Sequence, residues 1–385
     1  MRSHARRGAF IGFGNAAAQA HLPVWQSRDD VVMVAATDRA EARREAFLAA
    51  CPGGRWHATL DRLLSEEALD FVDICTPPGS HAGLIRQALR AGLHVLCEKP
   101  LVTRAPDAQM IAAAAGAAGR AVYTVHNWLE APICRKISAL IAAGAIGAVR
   151  SVGWRTLRTR PAAGLGAETA NWRVDPAAAG GGILFDHGWH ALYCVTRWLG
   201  AAPQSVEARL ETRRHSDWPL HDTATLDLDC GGRSGQVFLT WAADERANHI
   251  DVEGERGRIR VDGANVILED RSGKQQWFCP PPLSQGSYHP DWFAGSARDF
   301  CAVMTDGAPG NLDEAMLCMR LIDLAQRSSD AGGARLALRD QAPEAAAGPS
   351  RQARASTRKK KIGAPNAVSS TNQLTLPNSA KASTR

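Results

Sequence analysis

The segment GGGILFDHGWH, Gly180 to His190, sets one carboxylate and two imidazoles close together: Asp186, His187 and His190. Side chains of these types at this spacing admit three chemistries. The glycines can cradle a phosphate. Asp186, His187 and His190 can supply metal ligands from about one helical turn. Asp186 and His190, four apart on one helix face, can handle a proton, with Asp186 orienting the imidazole or bonding a substrate hydroxyl. A metal site needs a further ligand from elsewhere, and His126, His221 and His289 stand isolated without ligand spacing. The expectation is therefore no metal, with His190 as a near-neutral imidazole suited to proton transfer and His187 as a hydrogen-bonding group lining the site.

A second candidate is CEKP, Cys97 to Pro100, in which Glu98 and Lys99 follow a strand-like run. Ligands of open α/β sheets sit at strand C-terminal ends. A Lys there would face the crevice and could stabilise negative charge developing on a substrate oxygen. On these residues alone, a surface ion pair at a turn is an equal reading.

A third is GFGNAA, Gly12 to Ala17, which matches G-x-G-x-x-[GA] between a strand-like and a helix-like segment. Gly12 permits the tight turn, Gly14 lets a pyrophosphate approach the backbone, and Ala17 allows close helix–strand packing. Phe13, Asn15 and Ala16 complete the loop, and the following helix N-terminus offers N–H groups to the phosphates. Asp38 ends VVMVAATD, 24 positions after Gly14, where an acid ~20 residues on bonds the adenosine ribose hydroxyls. A carboxylate there repels a 2′-phosphate and favours NAD over NADP. The adjacent Arg39 softens that preference and keeps NADP open. With the phosphate role filled here, Gly180–Gly182 are expected to bring the chain close to the reacting centre before its helix begins.

Elements from two different folds must bring these groups together. The first ~125 residues alternate strand-like runs (AFIGFG, VVMVAATD, LDFVDICTPP, HVLCEKP, AVYTVHN) with helix-like segments, which predicts a parallel sheet covered by helices. Ser80 is expected to cap a helix reaching Ala91, with Gly92 as its stop. Beyond Asn127 a helix-like ICRKISALIAAGAIG is followed by AVRSVGWRTLR, SVEARLETRR, TATLDLDC, GQVFLTWAA, HIDVEGERGRIRVDG and NVILED. Their alternation predicts an antiparallel sheet with one face partly open. Gly182–Leu199 carries an apolar stripe and reads as a helix, as do DWFAGSARDFCAVMTDG and LDEAMLCMRLIDLAQRSS. The fold class expected is α/β joined to α+β. An N-terminal Rossmann, doubly wound parallel sheet spans 1–128, and a C-terminal substrate and oligomerisation domain with a large, mainly antiparallel open sheet spans 129–338. A disordered basic tail, 339–385, follows, too poor in apolar residues to offset its ordering entropy.

Composition narrows the function classes. Of 385 residues, 45% are apolar, as in ordinary soluble chains, and no apolar run approaches the ~18–20 residues of a membrane span. The N-terminus lacks a signal peptide's apolar core, and nine scattered cysteines form no C-x-x-C pair, so reduced thiols and a cytoplasmic setting are expected. The net charge of +6 is misleading until it is located. From Gln341 onward eight Lys/Arg face one Glu, a surplus of seven, which leaves the body at −1 and argues against a nucleic-acid partner.

GFGNAA…HLPVW, CTPPGSH, CEKPL and GGGILFDHGWH, in this order and at these separations, resemble the Gfo/Idh/MocA family of oxidoreductases over about residues 8–338. The resemblance implies NAD(P)-dependent hydride transfer at a secondary alcohol or ketone of a sugar, inositol or related polyol. It implies Lys99 beside the reacting carbon, Glu98 at the nicotinamide ribose, Thr76, Pro77 and His81 along the cofactor, and Asn127 at its nicotinamide end. Asp186 and His190 match the family's D-x-x-x-H. Trp128 stands where the family usually has Arg, and Trp172 and Arg173 resemble a Trp-Arg pair at the substrate mouth. A homodimer or homotetramer is implied. Two other outcomes stay open: a glycosidase using tightly held NAD on the same scaffold, and a dinucleotide-sensing regulator without catalysis.

Overall fold

The computed structural model describes residues 5–162, 171–307 and 310–338; the expected disordered tail lies outside the described residues. The apolar runs of the first third become six parallel strands: β1 (Arg6–Ile11), β2 (Val31–Thr37), β3 (Arg55–Trp56), β4 (Phe71–Ile74), β5 (His94–Cys97) and β6 (Val122–Thr124). They lie in the order β3-β2-β1-β4-β5-β6, so the winding reverses between β1 and β4. In such sheets the ligand crevice opens at that reversal, outside the strand C-terminal ends. Gly12, Asp38, Thr76 and Glu98 each follow one of those ends, which is how positions far apart in sequence reach one crevice. β3, two residues at the edge, has too few side chains to show a pattern in the sequence.

The second sheet has nine strands: β7 (Val149–Leu157), β8 (Ser205–Glu211), β9 (Thr223–Asp229), β10 (Ser234–Thr240), β11 (Ala247–Gly254), β12 (Gly257–Asp262), β13 (Asn265–Asp270), β14 (Gly273–Phe278) and β15 (Leu336–Ala337). Their order is β14-β13-β12-β11-β7-β10-β9-β8-β15, antiparallel throughout except for β7 beside β10. Alternation is visible in β9, where Ala224, Leu226 and Leu228 are buried and Asp227 is exposed. The run HIDVEGERGRIRVDG, expected as one strand, is the hairpin β11–β12, turning at Glu255–Arg256. β14 went unread because Gly273–Gln276 are polar and exposed at a sheet edge.

The helix expected over Gly182–Leu199 is a π-helical turn, Leu184–Gly188, running into an α-helix, Trp189–Leu199. It packs on β7 and β10 and against the helix Leu312–Asp330. Burial on nearly every side, from Trp189 through Thr196, gives its polar side chains fixed surroundings. A second π-turn, Ala17–His21, follows the glycine loop. π-turns inside helices are frequent at functional sites, and these two flank the same cavity. The helix Pro290–Asp306 returns to the first sheet, where Phe293 and Phe300 join Trp25 and Phe71 in one apolar cluster.

Candidate active site

A cavity of about 820 Å³ runs from the glycine loop to the Asp186 helix. Gly12 holds φ +88°, and a Cβ there would stand 2.7 Å from Thr76 Cγ2, so only glycine fits this turn. Gly14 faces open cavity, with nothing within 4 Å of where a Cβ would be. Asp38 accepts the Phe13 N–H at its Oδ2 (2.8 Å) and the Ala40 N–H at its Oδ1 (2.8 Å), which fixes its carboxylate on the cavity wall. Asn15 Oδ1 and Asn127 Oδ1 are buried without a partner, and both residues line the cavity. Open space over a loop amide, a ribose-height carboxylate and two unpaired amide oxygens fit a dinucleotide.

Not every expected cofactor residue touches this space. Gly14, Asn15, Ala16, Asp38, Arg39, Thr76, Pro77, Glu98 and Asn127 line it. Phe13 does not: its ring is buried edge-on against Phe10 and Phe47, and its contribution is the N–H held by Asp38. Ala17 is wholly buried in the helix–strand contact. His81 is buried too, with Nε2 2.8 Å from the Thr76 carbonyl and Nδ1 3.0 Å from the Pro100 carbonyl, so it ties together two cavity loops. Ser80 does not cap its helix by a side-chain bond, because its hydroxyl donates to the Pro77 carbonyl instead.

Beneath the loops of Thr76 and Glu98 lies a charged group that sequence reading missed. His21 donates from Nδ1 to Asp73 Oδ2 (2.9 Å) and from Nε2 to Glu98 Oε1 (3.1 Å), and its ring stacks on Phe293 at 3.7 Å. Trp25 Nε1–H also donates to Asp73 (2.8 Å). Burial opposes a charge on His21, but Asp73 overcomes it and raises the imidazole well above its ordinary pKa. Glu98 is lowered despite burial, chiefly by His21 and then Lys99, and its second oxygen accepts the Lys99 backbone N–H at 2.9 Å. His21, Asp73 and Cys75 bring ligand-type atoms together, but burial, and then Asp73, hold Cys75 as a neutral thiol, a poor metal ligand.

At the other end, Lys99 Nζ donates to the Asp186 carbonyl (2.8 Å) and to Asp186 Oδ1 (3.1 Å). Asp186 Oδ2 lies 3.7 Å from Arg173 Nε and 3.7 Å from His187 Nε2. Burial alone would raise Asp186, yet the Lys99 ammonium and the Arg173 guanidinium hold it far below the usual carboxylate range. Burial, with Arg158, Lys99 and Arg173 nearby, pushes His187 down to about 3 and keeps it neutral.

His190 corrects two expectations. Asp186 does not orient it; Tyr193 does. The Tyr193 hydroxyl lies 2.7 Å from His190 Nδ1 and accepts the Trp128 N–H at 3.1 Å. With the Trp128 N–H on one lone pair, the hydroxyl still has its proton to give to Nδ1, and a neutral His190 bonded in that sense carries its own hydrogen on Nε2. Trp128 stacks on the ring at 4.4 Å. Nor is the imidazole near neutral pKa: burial and then the Lys99 charge push it well below. His190 thus presents an N–H donor rather than a charged acid.

Gly180–Gly182 also have a different task from the one expected. None lines the cavity. A Cβ on Gly180 would meet the Phe185 ring and Thr103, and one on Gly182, at φ +59°, would strike the His221 carbonyl oxygen. These glycines let the turn pack against its own core and launch the helix. Trp172 and Arg173 line the cavity as expected, the guanidinium 4.3 Å over the indole. Tyr193, Arg158 and Arg246 were missed. Tyr193, three after His190 on one helix, carried a spacing signal; Arg158 and Arg246 carried none.

Residues 6–126 match the model of an oxidoreductase family with an NAD-binding Rossmann fold, GFO_IDH_MocA, and residues 134–260 match its GFO/IDH/MocA C-terminal domain. D-apiose dehydrogenase of Paraburkholderia graminis is 33% identical over 294 residues, covering 73% of this chain and 74% of the relative. D-xylose 1-dehydrogenase (NADP(+)) 2 of Haloferax volcanii is 25% identical over 328 residues, covering 84% of this chain and 97% of the relative. The fold is that of GenD2 from gentamicin A biosynthesis, solved in complex with NAD: TM-score 0.74 at 24% identity, covering 87% of this chain and 97% of that one. Among the described residues, no helix is long and apolar enough to cross a membrane.

Proposed function

Because this chain belongs to the GFO/IDH/MocA family of NAD-binding oxidoreductases, we propose that it interconverts a secondary alcohol and a ketone on a sugar, inositol or related polyol. One observation carries the reading: the crevice of Gly14 and Asp38 and the Lys99–Asp186 pair share a single cavity with His190. Gly14, Asn15, Asp38, Thr76, Pro77, Glu98 and Asn127 would hold the dinucleotide, which when bound supplies the two-electron redox chemistry.

The chain's own groups manage the substrate oxygen. Lys99 spends two of its three ammonium hydrogens on Asp186 and has the third for that oxygen. His190 Nε2–H is a second donor. Two donors fixed there stabilise negative charge as it develops on the oxygen. The proton is exchanged at Lys99 Nζ: reduction draws on the ammonium and oxidation on the free amine. His190, held neutral by burial and then the Lys99 charge, positions rather than titrates. Trp172 and Arg173 wall the substrate end.

The test is net cofactor reduction with a panel of polyols and sugars. NADH or NADPH accumulates with the wild type. Lys99→Met lowers kcat about 10²–10³-fold while dinucleotide still quenches tryptophan fluorescence. Glycoside cleavage without cofactor accumulation would move the chain to the hydrolase reading. An unchanged biological activity in Lys99→Met would move it to the sensor reading.

A further inference from the structure

The substrate end of the cavity is built for negative charge. Arg158, Arg160, Arg173 and Arg246 line it together with Lys99. Among the described lining residues of that end, Asp186 is the one carboxylate, and Lys99 and Arg173 already hold it. Arg158 is 2% exposed and lies at the base. Its four hydrogen bonds go to neutral acceptors: the carbonyls of Leu157, Ala247 and Leu283, and Asn248 Oδ1. Its Nε is buried with no partner among the described residues. Arg160 and Arg246 are exposed residues of the same lining, and Arg246 gives its Nε–H to the Ser284 carbonyl.

A buried guanidinium without a counter-charge is costly. The like charge of Arg246 adds to that cost, which Asp186 offsets only in part, and among the described residues no carboxylate forms an ion pair with Arg158, Arg160 or Arg246. The dinucleotide pyrophosphate is no remedy, since the loop that would take it, Gly12–Ala17, is at the opposite end. Guanidinium groups suit carboxylate and phosphate through paired, charge-assisted hydrogen bonds.

We propose that the substrate carries an oxyanion, a carboxylate or a phosphate ester, seated over Arg158 between Arg160 and Arg246, while its reacting carbinol lies at Lys99. This rests on the oxidoreductase reading for the placement of the carbinol, but the anion site itself can be tested by binding alone.

Three matched six-carbon probes decide it: an aldonate, a sugar phosphate, and the neutral alditol. Each is run in cofactor-reduction assays and in thermal-shift titrations of the NAD-loaded enzyme. The expected result is kcat/KM for one anionic probe at least about 100-fold above the alditol, with the better of aldonate and phosphate naming the group. Arg246→Gln and Arg160→Gln, exposed and so tolerant of change, raise KM for that probe about 10- to 100-fold and leave kcat nearly unaltered. Equal turnover of alditol and anions overturns the anion site and leaves the dehydrogenase reading standing. If no probe is turned over, the shifts decide: stabilisation by an anion but not by the alditol, lost in Arg246→Gln, supports the site. Equal shifts or none overturn it.

Discussion

Tyr193→Phe isolates the one bond that separates an orienting tyrosine from an orienting aspartate at His190. The substitution keeps the ring and removes a single oxygen. That oxygen lies 2.7 Å from His190 Nδ1 and 3.1 Å from the Trp128 N–H, and every atom involved is buried. Each group left unpaired costs about 1–3 kcal/mol, so the pair costs about 2–6 kcal/mol. At about 2.1 cal/mol/K of unfolding entropy per residue, a chain of this size shifts by about 1–2 °C per kcal/mol, so the melting temperature falls by roughly 2–12 °C. His190 also loses the partner that holds its hydrogen on Nε2. A donor displaced by about 1 Å costs roughly 100-fold in rate, so kcat/KM drops about 10- to 100-fold. The drop is equal for oxidation and reduction, because no substitution alters the overall equilibrium. Dinucleotide affinity stays the same, since neither bond touches the glycine loop. Thermal denaturation, kcat/KM in both directions and nitrogen NMR of labelled histidine form the assay. Rates within twofold of wild type, with the Nε2–H signal retained, would refute the reasoning.

Two further outcomes follow from the same geometry. Asp38→Ala removes the carboxylate that opposes a 2′-phosphate and leaves Arg39 and Arg43 on that wall; the kcat/KM ratio for NADP over NAD should rise about 10- to 100-fold, and an unmoved ratio would remove Asp38 from cofactor choice. His21→Gln tests the buried charge. Its folded pKa is raised, so its stabilisation is complete below the ordinary histidine value of about 6.5 and is lost as pH climbs through the folded value, by at most about 1.36 kcal/mol per pH unit. Wild-type melting temperature should therefore decline from neutral into alkaline pH, and the variant's curve should be flatter over that range; parallel curves would show that His21 carries no proton linkage.

What was readable in the sequence was local. GFGNAA, Asp38 and the strand ends announce themselves because turn geometry and strand period are properties of neighbours in the chain. The Asp186–His190 spacing was visible for the same reason. What escaped depends on partners far away. His21 is raised because Asp73, 52 residues distant, closes on one side of its ring, while Glu98, 77 residues distant, takes the other nitrogen. The task of Gly182 is set by the carbonyl of His221, and the pairing of Lys99 with Asp186 spans 87 residues. The edge strands β3, β14 and β15 escaped for a different reason: they bury little, so selection for core contact leaves no alternation in them.

The two ends of the cavity differ in how they balance charge, and that difference sorts two ligands. On the cofactor side each acid is answered: His21 stands between Asp73 and Glu98, and Asp38 is held by two backbone N–H groups. A site so balanced accepts a dinucleotide by shape and hydrogen bonds, with its own phosphates met by loop amides. On the substrate side cations outnumber the single described carboxylate, and the two histidines there are held neutral by burial and by those same cations. Neutral histidines add donors without adding charge. An oxidised nicotinamide, itself cationic, arriving beside them deepens the imbalance, so a negatively charged substrate binds best to the oxidised complex and more weakly to the reduced one. That gives a consequence beyond affinity for either ligand alone: binding of the anionic substrate and of oxidised cofactor should each strengthen the other by the same factor, as linkage requires.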